Sequence, residues 1–510
     1  MRRNLPEDIQ PPDRFAGFPR ELIIEVALLE PIDNITNLCQ SSVRFNNVIC
    51  NNNNFWNRKF IQDFGEEAIE RNVLSWKEAY RNYGRIIVVG SNQYGQLGLG
   101  DNLNRYIQAL IPKIRIKLVR CGEFHTVLVD LNNDVWIFGA NGYGQLGLGH
   151  NQNSFIPTPL FLNGQRMKAK FVRCGGNNTM LIDLNNNMWG FGRNDYGQLG
   201  LGDNINRNVP IQISEKIRFI ACSEYHTVII NWNYEVWVFG RNDYGQLGLG
   251  HNETRNIPNP LIGSGPTRQA HIKSRFVACG AFYTMLIALD NSLWAFGTNN
   301  YGQLGLGDNL DKNIPTCRIK EKIRFVICGH SHTIITTLNN NTVAACGHNQ
   351  YGQLGLGNNQ NKNKLEIIPN IKSKFFACGK NHTIIIDLNS NVWMSGANES
   401  GQLGLGDYQN RNILTQVPNV KSKFVSGGGH HTVFIRSISQ VDDNFHLMSF
   451  NDAERKLNAG EFLGFGIEPN VQHIPHNPIN VIATFRGRGS TDIYYVELQY
   501  ETTNQIFPPV

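Results

Sequence analysis

The stretch YGQLGLG at residues 94–100 is followed, after a short variable segment, by CGEFHTVLVDLNNDVWIFG at residues 121–139. Both return along the chain. YGQLGLG recurs at 143–149, 196–202, 244–250, 301–307 and 351–357, and a seventh copy, SGQLGLG, occupies 400–406. The second block returns as CSEYHTVIINWNYEVWVFG at 222–240 and CGKNHTIIIDLNSNVWMSG at 378–396. Self-similarity at a period of about 50 residues marks a stacked or radial repeat architecture.

The longer block parses as a β-hairpin. HTVLVDL and VWIFG are β-branched and aromatic runs of strand length, separated by Asn-rich pairs that tolerate positive φ. A further short strand precedes each cysteine position, among them IKLV, AKFV, SRFV and SKFV. Three to four short strands per repeat predict one propeller blade, and seven repeats predict seven blades. Hairpins this tight make antiparallel meanders rather than a parallel solenoid. The last repeat ends at HHTVFI with no Trp-Phe-Gly strand after it, whereas RIIVVG at 85–90 precedes the first glycine motif. Residues 85–90 are therefore expected to complete the blade begun by 424–435.

The glycine spacing G-x-x-G-x-G also invites a phosphate-cradle reading. A phosphate loop is needed once, between a strand and a helix, and no helix-compatible segment follows any copy. Seven identical placements predict positive φ or close backbone approach at blade corners instead.

Composition narrows the function classes. The chain has 510 residues, 50 glycines, 17% charged residues and a formal net charge of +6, too mild on its own to argue for nucleic acid. The N-terminus lacks the apolar core of a signal peptide, and the longest apolar stretch, LIIEVALL, is short and interrupted by Glu25. Ten cysteines without a secretory signal predict reduced thiols and an intracellular, cytoplasmic or nuclear, protein. Cys and His recur as C-x-x-x-H at Cys121/His125, Cys222/His226, Cys328/His332 and Cys378/His382, but Asn178, Tyr283 and Gly427 interrupt the series. A zinc site needs ligands converging from two elements, so buried thiols and hydrogen-bonded imidazoles are the expectation. No nucleophile elbow, zincin or Walker motif is present, and no catalytic residue, cofactor or metal is assigned.

YGQLGLG with CGxxHT and VWxFG resembles the regulator of chromosome condensation repeat, over residues 85–437. The resemblance implies a seven-bladed propeller. It leaves function open among a nucleotide exchange factor for the small GTPase Ran, scaffolds within ubiquitin ligases, and a plant branch that senses UV-B through clustered tryptophans. That branch carries Trp between the Gly and the His-Thr pair, where this chain has Glu123-Phe124, Glu224-Tyr225, His330-Ser331 and Lys380-Asn381. Trp136, Trp189, Trp237, Trp294 and Trp393 sit one per hairpin, as packing residues would. Exchange activity would use one face and a wedge-like excursion. Insertions at 161–170 and 261–271 are the candidates, with Asn163, Gln165, Arg166, Gly263, Ser264 and Arg268 as candidate partner-binding loop residues.

Residues 17–64 read as three short helices, the first opened by Pro19-Arg20-Glu21. The order Phe-Pro-x-Glu-Leu-Ile, Leu-x-x-Pro-x-Asp, Leu-Cys-x-x-x-Val-x-Phe, Phe-Trp-x-x-x-Phe resembles an F-box, which docks a Skp-type adaptor of a cullin ubiquitin ligase. Carried over, the adaptor-binding residues are Pro19, Leu22, Ile23, Val26, Leu29, Pro31 and Val43. Ser42, Arg44 and the Asn-rich insert before Phe55 depart from that pattern, and a helical cap on the propeller is the structural alternative.

Four residues before each cysteine position stands a cation: Lys117, Lys170, Arg218, Arg275, Arg324, Lys374 and Lys423. A second series follows the glycine motif: Arg105, Arg207, Arg255, Lys312, Lys362 and Arg411, with Ser154 as the exception. Radial repetition would turn these into basic rings able to attract an acidic partner, while pairing with nearby acids is the favoured reading. The chain is thus expected to be an all-β protein, a monomeric seven-bladed β-propeller at 85–437. It carries a flexible N-terminus at 1–16, an F-box-like α-helical segment at 17–84 and a β-rich extension at 438–510. The expected role is a non-enzymatic adaptor with a Skp-type adaptor and an unknown target as partners, or alternatively a Ran-like GTPase.

Overall fold

The computed structural model describes residues 20–29, 35, 38, 45–64, 76–77, 84–111, 114–214, 216–262, 271–317, 319, 321–338 and 341–437, together with the backbone of four C-terminal strands. Two compact units emerge, Met1–Tyr83 with Ser437–Val441, and Gly84–Arg436 with Asp442–Val510.

The first unit is helical. An α-helix spans Arg20–Leu29, a π-helical turn Asn46–Cys50, and a second α-helix Asn53–Phe64. Asn52 starts the second helix: its Oδ1 accepts from the backbone N–H of Asn54 (3.1 Å) and Phe55 (3.2 Å), satisfying donors that have no partner within the helix. Ile23, Ala27, Phe45, Ile49, Phe55, Trp56 and Phe60 are buried together in this unit. The buried Lys59 ammonium is compensated by donating to the Leu28 carbonyl at 2.9 Å. Cys50 is disulfide-bonded, which corrects the expectation of reduced thiols at this position. The eight cysteines described in the repeat region, from Cys121 to Cys378, are free.

In the second unit each repeat supplies an antiparallel meander. The first is Ile116–Cys121, His125–Asp130, Val135–Gly139 and Ser154–Pro159, paired in that order. Three further four-stranded sheets begin at Phe171, Ile217 and Ser274. The remaining three meanders are joined in a ten-stranded sheet, because Lys362–Cys378 and Arg411–Gly427 each run on from one meander into the next. Asn370 and Asn419, both at φ 58°, bend these long strands between their two sets of partners.

The seventh meander draws on both ends of the repeat region. Ile86–Gly90 lies antiparallel to His431–Arg436, with Ile86 opposite Ile435 and Gly90 opposite His431, and its other edge pairs with Arg105–Ile111. Residues 85–90 therefore do what the missing strand of the last repeat required.

Apolar residues of neighbouring meanders interleave. Phe171, Met180, Ile220, Val228, Phe239 and Phe296 belong to one buried cluster spanning three repeats. The hairpin tryptophans are anchored at their polar end: Trp136, Trp189 and Trp393 donate Nε1–H to Asp130, Asp183 and Asp387 at 2.9, 3.0 and 2.9 Å. At the C-terminus Val481–Gly487 pairs antiparallel with Ile493–Leu498, which also lies parallel to Phe445–Met448.

Candidate functional site

The glycine motif is a corner whose amides are already used. Gly95 N–H donates to Asn92 O (2.9 Å), Gly98 N–H to Gly95 O (2.9 Å) and Gly100 N–H to Phe155 O (2.8 Å). Asn92 Oδ1 accepts from Leu97 N–H at 2.9 Å, and Gln96 Oε1 from Tyr94 N–H at 2.9 Å. The N–H groups a phosphate would need are committed, so the motif is architectural. Gly98 has φ +68°, and a Cβ there would lie 2.8 Å from the Phe138 ring of the next repeat.

The second shared element is a belt of hydrogen bonds. His125 Nε2 lies 2.9 Å from Thr179 Oγ1, His226 2.8 Å from Thr284, His332 3.1 Å from Thr383, His382 3.0 Å from Thr432, and His431 3.0 Å from Thr126. Asn178 and Tyr283, which interrupt the histidine series in sequence, fill the same place by donating to Ser223 O (2.9 Å) and His332 O (2.6 Å). Each threonine hydroxyl donates to a glutamine carbonyl of the glycine motif, as Thr126 does to Gln96 O at 2.8 Å. Its one proton being spent, it accepts from the imidazole, which must carry its proton on Nε2. Burial holds these five imidazoles down at about 3, so they are neutral. Cys121 Sγ faces Ser426 O at 3.5 Å and also interacts with Thr126, and burial pushes that thiol up to about 12. No metal-binding cluster of His, Cys, Asp or Glu occurs among the described residues.

Above this belt, at the strand ends that carry the glycine corners, aromatic and arginine side chains gather from successive repeats. Tyr225 and Phe282 stack at 4.6 Å with 13° between their planes. The Arg241 guanidinium lies 4.7 Å over Tyr196 and 5.4 Å over both Tyr225 and Phe282, while Arg193 lies 5.1 Å over Tyr143. Arg193 also pairs with Asp195 (2.7 Å) and Glu224 (3.2 Å), and Arg241 with Asp243 (2.6 Å), which fixes both side chains in place. Burial and the neighbouring Glu123 raise the Glu224 carboxyl. At the same strand ends Lys380 meets Glu123 at 2.6 Å, beside His330, whose imidazole burial and Lys380 hold at about 4. Tyr143 and Tyr244 remain 38% and 39% exposed, so the cluster is ordered from beneath and open above.

The basic series act locally. Lys117 Nζ donates to Asn133 Oδ1 (2.5 Å) and Arg324 to Asn341 Oδ1 (2.7 Å), each clipping the positive-φ turn of its own hairpin, as Lys170 does at Asn186. Lys374 reaches Ser390 Oγ (3.5 Å), Arg218 lies 4.1 Å over Tyr234, and Arg275 donates to Ile323 O and Arg324 O. Lys423 holds the equivalent place on Arg411–Gly427. The chain turns back onto Lys117 and Arg324 16 and 17 residues later, which brings these hairpin partners within reach, and the charges of Asp130 and Asp183 also act on Lys117 and Lys170. In the second series Arg105, Arg207, Arg255, Lys312, Lys362 and Arg411 do pair with acids, among them Asp101, Asp203 and Asp407.

Of the insertions, Phe161–Leu162 and Gln165–Arg166 form a two-stranded hairpin with Asn163 and Gly164 at positive φ. Asn163, Gln165 and Arg166 are exposed, with the Arg166 guanidinium 5.0 Å over Trp136. This hairpin follows Pro159, which pairs with Trp136, and so lies at the strand ends opposite the aromatic cluster. Gly263, Ser264 and Arg268 lie outside the described residues, as do Pro19, Pro31 and Val43. Leu22, Val26 and Leu29 fall in the first helix, and Ile23 is buried in the helical unit's own core. The arginines of the aromatic cluster escaped the sequence reading. Their signal was the segment GRNDYG, which occurs only before the third and fourth glycine motifs.

Residues 83–129, 132–182 and 185–230 match the regulator of chromosome condensation (RCC1) repeat, and residues 215–434 match the RCC1-like domain. The chain therefore contains RCC1 repeats and an RCC1-like domain. It is 32% identical over 268 residues to the ultraviolet-B receptor UVR8 of Arabidopsis thaliana, covering 51% of this chain and 48% of that protein. It is 35% identical over 266 residues to the human X-linked retinitis pigmentosa GTPase regulator, covering 50% and 25%. The chain thus spans about half or less of these relatives. Among solved structures, human WBSCR16 aligns with a TM-score of 0.62 at 22% identity, covering 69% of this chain and 98% of that one. Prp20p of Saccharomyces cerevisiae aligns at 0.61 and 19% identity, covering 74% and 94%. The fold is mostly β, with RCC1-type propellers as its structural neighbours.

Proposed function

We propose that the seven meanders are the blades of one propeller, and that the protein is a non-enzymatic adaptor whose propeller recognises a protein target. The observation that carries this reading is the half-exposed cluster of Tyr143, Arg193, Tyr196, Tyr225, Arg241 and Phe282. Tyr and Arg dominate the binding energy of protein interfaces, and side chains already locked by ion pairs and stacking lose little freedom on binding. The F-box-like segment would link this face to a Skp-type adaptor of a ubiquitin ligase, and a human relative is described as the probable E3 ubiquitin-protein ligase HERC6. Guanine nucleotide exchange on a Ran-like GTPase is the second reading, favoured by the acidic pair Glu123 and Glu224 on one face; Prp20p is a structure described with its binding properties to Gsp1p and histones. Against it, the 161–166 hairpin lies at the strand ends opposite that pair.

The test is co-purification of the full chain with a Skp-type adaptor, comparing wild type with Leu22→Asp/Val26→Asp. Binding lost only in the variant supports the adaptor reading, because two charges abolish an apolar helix-in-groove contact. No binding by the wild type overturns it, and nucleotide release from a Ran-like GTPase then becomes the assay.

A further inference from the structure

The inner strands of the repeats line a cavity of about 250 Å³. Its lining includes five cationic residues, Arg120, Arg173, Arg218, Arg275 and Lys374, and no Asp or Glu. Arg120 and Arg173 stand apart from the other three. They occupy the position just before the cysteine, where the other five repeats carry Ala221, Ala278, Ile327, Ala377 and Ser426. Packing at this position is therefore met by small or apolar side chains, and arginine is not required for it.

The two guanidiniums rest on the phenylalanines of the inner strands. Arg120 lies 4.6 Å over Phe424, and Arg173 lies 4.5 Å over Phe171 and 5.2 Å over Phe219. Arg120 donates to the carbonyl of its neighbour Val119 at 2.8 Å, and neither arginine has an ion pair among the described residues. Burial lowers both groups, and Arg173 further disfavours the charge on Arg120. The nearby thiols of Cys121 and Cys174, raised by burial, supply no negative charge at neutral pH. Two like charges lining one cavity, only partly exposed to solvent, carry a cost that an anion between them removes.

We propose that the cavity is a binding site for a phosphate-class oxyanion held by Arg120 and Arg173. Two guanidinium forks match the tetrahedral oxygens and double charge of phosphate. The volume admits inorganic phosphate or diphosphate, or one phosphate group ending a longer molecule.

The site is tested on the full chain by calorimetric titration and thermal unfolding at constant ionic strength, with inorganic phosphate, inorganic pyrophosphate and O-phosphoserine as probes. The expected result is saturable binding of at least one probe that raises the unfolding temperature. In Arg120→Met/Arg173→Met, which keeps the apolar stems, affinity should fall at least about 100-fold, about tenfold for each charge-assisted contact. Binding of the inorganic ions alone assigns a free anion, and binding of O-phosphoserine as well assigns a phosphate carried on a larger molecule; both support the site. Unchanged affinity in the double variant, or no saturable binding of any probe at millimolar concentration, overturns it. Should the double variant not fold, Arg173→Lys keeps the charge and loses the fork. About tenfold weaker binding then supports the site, and unchanged binding overturns it.

Discussion

His431 Nε2 lies 3.0 Å from Thr126 Oγ1, a hydrogen bond between residues 305 positions apart that joins the last repeat to the first. Cys121 N–H to Ser426 Oγ at 3.0 Å and Gly429 N–H to Glu123 O at 3.1 Å run alongside it. Removing the hydroxyl in Thr126→Val strands the His431 N–H and the Gln96 carbonyl in a buried place. The expected loss is about 1–3 kcal/mol, read from denaturant midpoints at unchanged m-value.

The belt makes stability pH-dependent. His125, His226, His332, His382 and His431 are held at about 3 in the folded chain against an ordinary 6.5. Between those limits the unfolded chain binds more protons, so stability rises with pH and is lost on acidification from 6.5 towards 3. At pH 5 each imidazole weakens the fold by about 2 kcal/mol. Denaturant midpoints at pH 7 and pH 5 check this, and His226→Gln should flatten the dependence by about one proton.

Two glycines separate the effects of conformation and space. Gly98→Ala places a methyl group 2.8 Å from Phe138 at φ +68°, and should cost about 1–3 kcal/mol. Gly142 has open space around its Cβ position and no positive φ, so Gly142→Ala should leave the unfolding temperature unchanged or raise it by the equivalent of about 0.5 kcal/mol. Equal losses for both would refute the corner geometry.

Lys380 and Glu123 pull His330 and His430 in opposite directions. Lys380→Met should raise both imidazoles and Glu123→Gln should lower both. Imidazole titration by NMR reads the signs directly.

The repeat, its strands and the exchange of a strand between its two ends were legible because hydrophobic alternation and turn residues act locally. The belt was half legible. Cys and His recur visibly, but Asn178 and Tyr283 look like departures until the structure shows the next repeat's carbonyls within their reach. In the first cationic series some partners were hidden for the same reason, since a hairpin returns Asn133 to Lys117 and Asn341 to Arg324. Ile23 was legible as one of an apolar helix face, but the pattern did not tell whether it faces a partner or the helical unit's own core; here it is 1% exposed. Arg193 and Arg241 were marked only by the shared segment GRNDYG, and that they stack across repeats depends on the spacing of neighbouring meanders, which the segment does not reveal.

The pairing of Ile86–Gly90 with His431–Arg436 sets a schedule for synthesis. Ile86–Val89 leaves the ribosome early, yet its partner is among the last parts of the repeat region to be made. At about 5–20 residues per second the wait is tens of seconds. Throughout it an apolar strand presents a bare edge to anything able to add a strand. The repeat region is thus exposed at its first strand until its last hairpin is complete, and any truncation before residue 431 leaves that edge permanently open.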